Sequence, residues 1–219
     1  KAIYKNYPEA LPDVPVVDVE ALKNEPELIA KYASVFDFNQ EEELISLIAG
    51  SVLVTTGFDS YQPKEGEFGY KNIPNVLTLP EFKRLMELNP DKLIFNQKPI
   101  KNIAFIYCVG NRQTKGENKY CSRQCCTSTI YTAIELKEKY KNITAFHLFR
   151  DIRTYGKQEI LYEASSKQGD IYLRYDEKEP PVVDLSGKSL IVKVKDHLTA
   201  KKELELEADM VVLVTGMVA

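Results

Sequence analysis

Ile103-Ala104-Phe105-Ile106-Tyr107-Cys108-Val109-Gly110 decides how the rest of the chain is read: a continuous apolar run that closes on a thiol and a glycine. Such a run, rich in β-branched and aromatic residues, predicts a strand over Asn102–Cys108 buried on both faces. Working outward, Ser122–Tyr140 predicts a helix, Ile143–Phe149 a strand, Lys157–Ser166 a helix and Ile171–Tyr175 a strand. Strand and helix alternate at the spacing of βαβ units, which predicts an α/β fold with a Rossmann-like parallel sheet carrying helices on both faces. Beyond it, Ser189–Asp196 and Lys202–Glu207 alternate apolar and polar residues across His197-Leu198-Thr199-Ala200, the pattern of an antiparallel hairpin. Upstream, Pro80 at the start of Glu81–Leu88 reads as an early helix proline behind a Thr78 cap, and Val19–Ala33 as a further helix. The stretch from Tyr7 to Pro15 holds too many prolines for a regular element. Two further apolar runs, Ser51–Thr55 and Met210–Val214, each close on Thr-Gly, at Thr56-Gly57 and Thr215-Gly216, and predict two buried strands.

All four cysteines fall close together as Cys108-x12-Cys121-x3-Cys125-Cys126, directly at the exit of the first strand. Thiols gathered at a strand end can converge on one metal centre, whereas scattered ones would read as small apolar core residues. Zinc sites usually show two short hooks of C-x2-4-C. Here one cysteine is distant and two are adjacent, which suits a compact iron–sulfur cluster better than a tetrahedral ion. Zinc and a redox dithiol stay open as alternatives, the dithiol disfavoured because adjacent cysteines bridge only with strained geometry. Cys125 and Cys126 fall near the first turn of the expected helix, where free N–H groups stabilise thiolates.

Composition narrows the partners. Net charge is −3, with 29 Lys and Arg against 32 Asp and Glu, which gives no basic surface for nucleic acid. No apolar run approaches the roughly 20 residues of a membrane helix. No secretory leader precedes Lys1, and clustered cysteines fit a reducing cytoplasm, so a cytoplasmic chain is expected; its start at Lys reads as a trimmed or partial protein. None of the 10 glycines has another two residues away, so the G-x-G-x-x-G turn of a dinucleotide site is absent, and NAD(P)H binding is not expected. Asp151, after the Ile143–Phe149 strand, stands where a ribose-binding acid would, but Arg153 is at hand as its partner. No zinc-protease helix motif, phosphate loop or nucleophile elbow is present.

Across nearly the whole length, Lys1-Ala2-Ile3-Tyr4, Val54-Thr55-Thr56-Gly57-Phe58-Asp59, Phe68-Gly69-Tyr70, Pro74-Asn75-Val76, Cys108-Val109-Gly110, Tyr120-Cys121-Ser122-Arg123-x-Cys125-Cys126 and Asp151-Ile152-Arg153-x-Tyr155-Gly156-Lys157 resemble the A-type subunit of heterodisulfide reductase. That family is an FAD-containing, thioredoxin-reductase-like flavoprotein with iron–sulfur centres. The resemblance implies oxidoreductase electron transfer, a 4Fe-4S cluster on Cys108, Cys121, Cys125 and Cys126, and partner subunits of the heterodisulfide-reductase type or other redox proteins. It further implies flavin-side turns at Thr56, Gly57, Thr215 and Gly216, equally readable as plain strand-end turns. The family's ferredoxin-type cysteines are missing from Val19–Asn39, and its flavin fingerprint lies outside the chain, so FAD is expected in a longer parent and not on this piece alone. The implied organisation is a partial FAD-domain segment and linker at 1–100, a cluster-binding domain at 101–207 and a strand returning to the FAD domain at 208–219.

Other residues carry weaker signals. His147, inside an apolar strand, reads as an edge or satisfied core histidine, and His197, in a hairpin turn, as solvated. Asp151, Arg153 and Tyr155 follow a strand end, where they could fix a loop or meet a partner. Arg112 and Arg123 flank cysteines and could offset the charge of a cluster.

Overall fold

A computed structural model of the chain describes residues 26–31, 44, 46, 48–55, 57–187, 189–199 and 202–218. The chain divides into two units, 1–55 and 56–219. In the first, helix α1 (Pro26–Lys31) begins on proline and carries Glu27 in its first turn and Lys31 in its last, matching the helix dipole. The remainder of the expected Val19–Ala33 helix, the Tyr7–Pro15 stretch and Thr56 lie outside the described residues. The strand expected at Ser51–Thr55 does not form. Val52, Leu53 and Val54 are exposed at 81%, 87% and 73%. β-branched residues favour strands only where a neighbouring strand takes up the backbone hydrogen bonds, and among the described residues this run has none.

The second unit is built on five parallel strands: β2 (Val76–Thr78), β5 (Asn102–Val109), β6 (Thr144–Phe149), β7 (Ile171–Arg174) and β11 (Met210–Thr215), in the order β2-β11-β5-β6-β7. Around them lie a short antiparallel pair, β1 (Asp59–Ser60) with β12 (Met217–Val218), and a small hairpin, β3 (Ile94–Phe95) with β4 (Lys98–Pro99). The hairpin turns on Asn96 and Gln97, both at positive φ, as a two-residue turn between twisted strands requires. β8 (Val182–Ser186), β9 (Ser189–Lys195) and β10 (Glu203–Ala208) form an antiparallel sheet, so the expected hairpin is present with one strand more. Among the described residues no helix is long and apolar enough to cross a membrane.

Helix α2 (Leu79–Leu88) starts as its sequence dictates. The Thr78 hydroxyl accepts from the Glu81 N–H, the Glu81 carboxylate accepts from the Thr78 N–H, and Pro80 sits in the first turn. Helices α3 (Cys125–Lys139) and α4 (Glu159–Lys167) begin slightly later than read, α4 behind a 3-10 turn at Gly156–Gln158.

The core has two layers. Ile103, Phe105 and Tyr107 of β5 and Met210, Val212 and Val214 of β11 pack on one side with Phe82 and Met86 of α2 and Ala133 and Leu136 of α3. Ala104 and Ile106 of β5 and Val211 and Leu213 of β11 pack on the other with Val183, Leu190, Val192 and Val194 of the antiparallel sheet. The α/β class stands, and the α-helices gather on one face while antiparallel strands cover the other. β11 is buried from end to end in the middle of this sheet, and β2 and α2 belong to it as well. The boundaries expected at residues 100 and 207 therefore run through one packed body. A run of six buried apolar residues is the mark of an interior parallel strand, but which sheet it enters is set by partners far away in sequence.

Because all five strands are parallel, their carboxyl ends share one edge. From β5 the chain steps through β6 to β7 on one side, while β11 lies on the other, so the strand order reverses beside the end of β5. That is where open α/β sheets bind ligands.

Candidate metal centre

The end of β5 is irregular. Leu213 of β11 pairs with Ile106, but Thr215 pairs with Val109, so β5 holds one residue more than β11 over this interval. The surplus is a bulge, and Cys108 within it has φ of 62°. Its consequence is directional. Tyr107 packs on the helix side and Val109 on the antiparallel-sheet side, as alternation around a regular strand would not allow, and the half-buried Cys108 joins Tyr107 on the helix side. Without the bulge Cys108 would face away from α3, whose first two residues are Cys125 and Cys126.

Two glycines hold the strand exits together. The Gly216 N–H donates to the Val109 carbonyl at 2.8 Å, and the Tyr61 N–H donates to the Gly216 carbonyl at 2.8 Å. A Cβ on Gly216 would stand 2.6 Å from Asn111 Cβ, and one on Gly110 would fall 2.0 Å from the Tyr61 ring. The insertion after Gly110 folds back on itself, with the Arg112 N–H donating to Tyr120 O at 2.9 Å and the Gln113 N–H to Asn118 O at 3.0 Å. That fold-back returns Cys121 to the level of Cys108. Ser122 then ties the loop down, accepting from Asn111 Nδ2 at 3.2 Å and from the Met217 N–H at 2.8 Å.

Cys108, Cys121, Cys125 and Cys126 line one tight recess, together with Tyr107, Asn111, Arg112, Arg123, Asp151 and Arg153. Asn111 Nδ2 lies 3.6 Å from Cys125 Sγ and Arg112 Nη1 lies 3.8 Å from Cys108 Sγ, both as donors. Among the described residues no three His, Cys, Asp or Glu side chains stand close enough to hold a single metal ion. Burial pushes the Cys126 thiol up to about 12, and the neighbouring Cys108, Cys125 and Cys121 push the same way against a backbone hydrogen bond at Arg153. Cys125 is raised as well, chiefly by burial and then by Cys108 and Cys121, with the Ser122 hydroxyl opposing. Thiols so placed keep their protons until a cation offsets the charge, and the all-cysteine donor set fits an iron–sulfur group that would supply it.

Asp151 is spoken for. Burial alone would raise its carboxyl, but Arg112 at 2.7 Å, Arg174 at 3.2 Å and Arg153 at 3.7 Å outweigh that and hold it below the usual carboxylate range. The loop-fixing role read from the sequence is thus the one its contacts display, and Arg153 is only the most distant of three partners. Arg112 and Arg123 both reach the recess, as their positions beside cysteines indicated. Tyr155 is half exposed and lines neither the recess nor the cleft beside it.

Of the Thr-Gly turns, Thr215 and Gly216 line a second, more open cleft with Phe58, Leu79, Pro80, Lys83 and Cys125. Gly57 has φ of 77° and open space around its Cα. His147 is no edge residue: β6 is paired on both sides, the imidazole is fully buried, and Tyr107 Oη lies 2.7 Å from its Nδ1. His197 is half-buried and not fully solvated, because its N–H donates to Arg174 O at 2.7 Å and its Nε2 stands 3.6 Å from Glu179. Sequence reasoning missed Asn111 and Ser122, whose only signal was their place beside cysteines.

No family model matches the chain. Along its whole length it is 36% identical to the second A-type iron-sulfur subunit of the CoB–CoM heterodisulfide reductase of Methanopyrus kandleri, of which it spans 34%. It is likewise 32% identical to the A-type subunit of the H(2):CoB-CoM heterodisulfide,ferredoxin reductase of Methanothermobacter marburgensis, spanning 34% of it, and 31% identical to the A-type subunit of the ferredoxin:CoB-CoM heterodisulfide reductase of Methanosarcina acetivorans, spanning 32%. Among solved structures, the sulfide:quinone oxidoreductase of Aquifex aeolicus covers 74% of the chain and 35% of its own length, at 13% identity and a TM-score of 0.38, a likeness too loose to compare sites.

Proposed function

Homologous along its whole length to about a third of the A-type subunit of heterodisulfide reductase, the chain is, we propose, an electron-transfer segment of an oxidoreductase that holds a 4Fe-4S cluster on Cys108, Cys121, Cys125 and Cys126. The observation that carries this reading is the β5 bulge, which turns Cys108 onto the side of the sheet where Cys125 and Cys126 begin α3, so that all four thiols border one recess. A cluster, when bound, takes up and gives back one electron at a time. The chain's own part is positional and electrostatic. Arg112 and Asn111 direct N–H groups at two of the sulfurs, and such donors, with nearby guanidinium charge, offset the negative charge of a thiolate-bound centre and make its reduction easier.

The exposed run Val52–Val54 and the Thr215–Gly216 cleft fit contact with the flavin-binding part of a longer protein, FAD being bound by that parent and not by this chain alone. Cys125 borders both the recess and the cleft, which leaves a short path between a flavin there and the cluster. Its partners would be other subunits of the heterodisulfide-reductase type or redox proteins of the cytoplasm. Anaerobic reconstitution tests the reading: iron and sulfide near four per chain, brown colour and a reduced-state EPR signal are expected. The competing reading is a colourless structural zinc module that helps subunits assemble, which stoichiometric zinc without bound iron would favour.

A further inference from the structure

Behind the recess runs a continuous polar chain through the core. Tyr107 lines the recess, and on α3 the Thr129 hydroxyl donates to the Cys125 carbonyl at 2.8 Å. Tyr107 Oη and His147 Nδ1 share a hydrogen bond at 2.7 Å. His147 Nε2 is buried, has no hydrogen-bond partner, and faces Asp170 Oδ2 at 3.7 Å. Asp170 pairs with Lys137 Nζ at 2.6 Å and accepts from the Ser165 hydroxyl. Lys137, in the last turn of α3, keeps 15% of its side chain exposed and so opens the chain to solvent.

Phe105 and Tyr107 of β5 and Tyr172 of β7 stack on or tilt against the ring. Asp170 precedes β7, Lys137 comes from α3, and Ser165 of α4 bonds both Asp170 and Tyr172. Only Asp170 favours a charged imidazole; burial and Lys137 oppose it and hold His147 below its usual value. The ring is therefore neutral at rest, beside a carboxylate and an ammonium that balance each other.

We propose that His147 takes up one proton when the four-cysteine centre accepts an electron, with Asp170 as the counter-ion and Lys137 as the route from solvent. The electron comes from a one-electron donor and stays on the centre. The proton comes from water at the Lys137 end of this chain, and the positive charge that it brings to the imidazole balances the added electron. Tyr107 keeps its own proton and acts as the link that orients the ring, and His147 is a positioning and charge-balancing residue. Nothing of this kind is needed for a histidine that merely fills the core, because a filler would not tie its ring to a recess-lining tyrosine on one side and, through Asp170, to a partly exposed lysine on the other.

The inference rests on the cluster reading, and the test separates the two. The full chain, reconstituted anaerobically, is titrated with dithionite and followed by EPR from about pH 6 to 9, the span a perturbed histidine covers. The midpoint is expected to fall as pH rises, reduction becoming tenfold harder per pH unit within the window, which for one electron is about 59 mV. In His147→Gln, checked for unchanged iron content and circular dichroism, the midpoint is flat. Lys137→Met keeps the imidazole and removes a like charge, so its window moves to higher pH, and this holds as a test even where His147→Gln does not fold. An iron-loaded wild type with a pH-independent midpoint, a His147→Gln slope equal to the wild type's, or an unmoved Lys137→Met window overturns the proposal alone. A wild type that takes up no iron overturns the cluster reading and this inference with it.

Discussion

Arg112 donates through Nη2 to Asp151 Oδ2 at 2.7 Å, while its Nη1 stands 3.8 Å from Cys108 Sγ. One guanidinium thus joins the loop after β5 to the loop after β6 and delivers its charge at a cysteine. Asp151 is 40% exposed, so screening limits what the pair contributes to folding to about 1 kcal/mol or less.

The sign of its pH dependence follows from the lowered carboxyl. A folded-state value below the unfolded one contributes stability that is complete above the unfolded value, roughly pH 3.9, and is lost as pH falls through the folded one. Asp151→Asn is therefore expected to lower urea stability by up to about 1 kcal/mol at pH 7. Its curve should converge on the wild type's in strong acid. A gap that persists undiminished at low pH would mean that the Asp151 charge is not what Arg112, Arg153 and Arg174 hold.

Two glycines, one at the exit of β5 and one just after α4, differ in what they tolerate. Gly110→Ala combines φ of 70° with a Cβ 2.0 Å from the Tyr61 ring, and should cost about 3 kcal/mol or more in thermal unfolding. Gly169→Ala, at φ of 84° with open space, should cost only about 1–2 kcal/mol. Equal losses would show that the contact with Tyr61 yields freely.

Thiol chemistry reports on the recess. In iron-free, reduced protein near pH 8, Cys126 is buried with a thiol pushed up to about 12, so it should be the last cysteine alkylated by iodoacetamide, gaining speed as pH rises. Peptide mass spectrometry resolves the order. After iron loading all four cysteines should be protected, and Cys125→Ser should retain little iron. Fast labelling of Cys126 at neutral pH would contradict the buried placement.

The start of α2 gives a prediction made from sequence and geometry together. Thr78→Ala removes a hydroxyl that accepts from the Glu81 N–H and should destabilise by about 1 kcal/mol, while Thr78→Ser should lose only a fraction of that. Chemical denaturation of the three proteins decides it.

The sequence by itself determined β5, the capped start of α2 and the grouping of the cysteines, because each is written in neighbouring residues: an unbroken apolar run, a Thr-x-x-Glu box, a Cys-Cys pair at a helix start. It read Met210–Val214 correctly as a buried strand but grouped it with a separate domain, whereas it lies inside this sheet, and it read Ser51–Thr55 as a buried strand when that run is exposed. Both are apolar runs of the same kind, and nothing local distinguishes one that finds strands on each side from one that finds none. It also left open which way Cys108 points. Alternation along a strand would send that side chain to the face opposite Tyr107, and only the pairing of Thr215 with Val109, residues 106 positions apart, inserts the bulge that turns it toward Cys125 and Cys126. The buried line from His147 to Asp170 and Lys137 was hidden for the same reason. Periodicity records a residue's own strand or helix, whereas the face of a bulge and the partner of a buried charge are fixed by contacts between elements that meet only when the chain is folded.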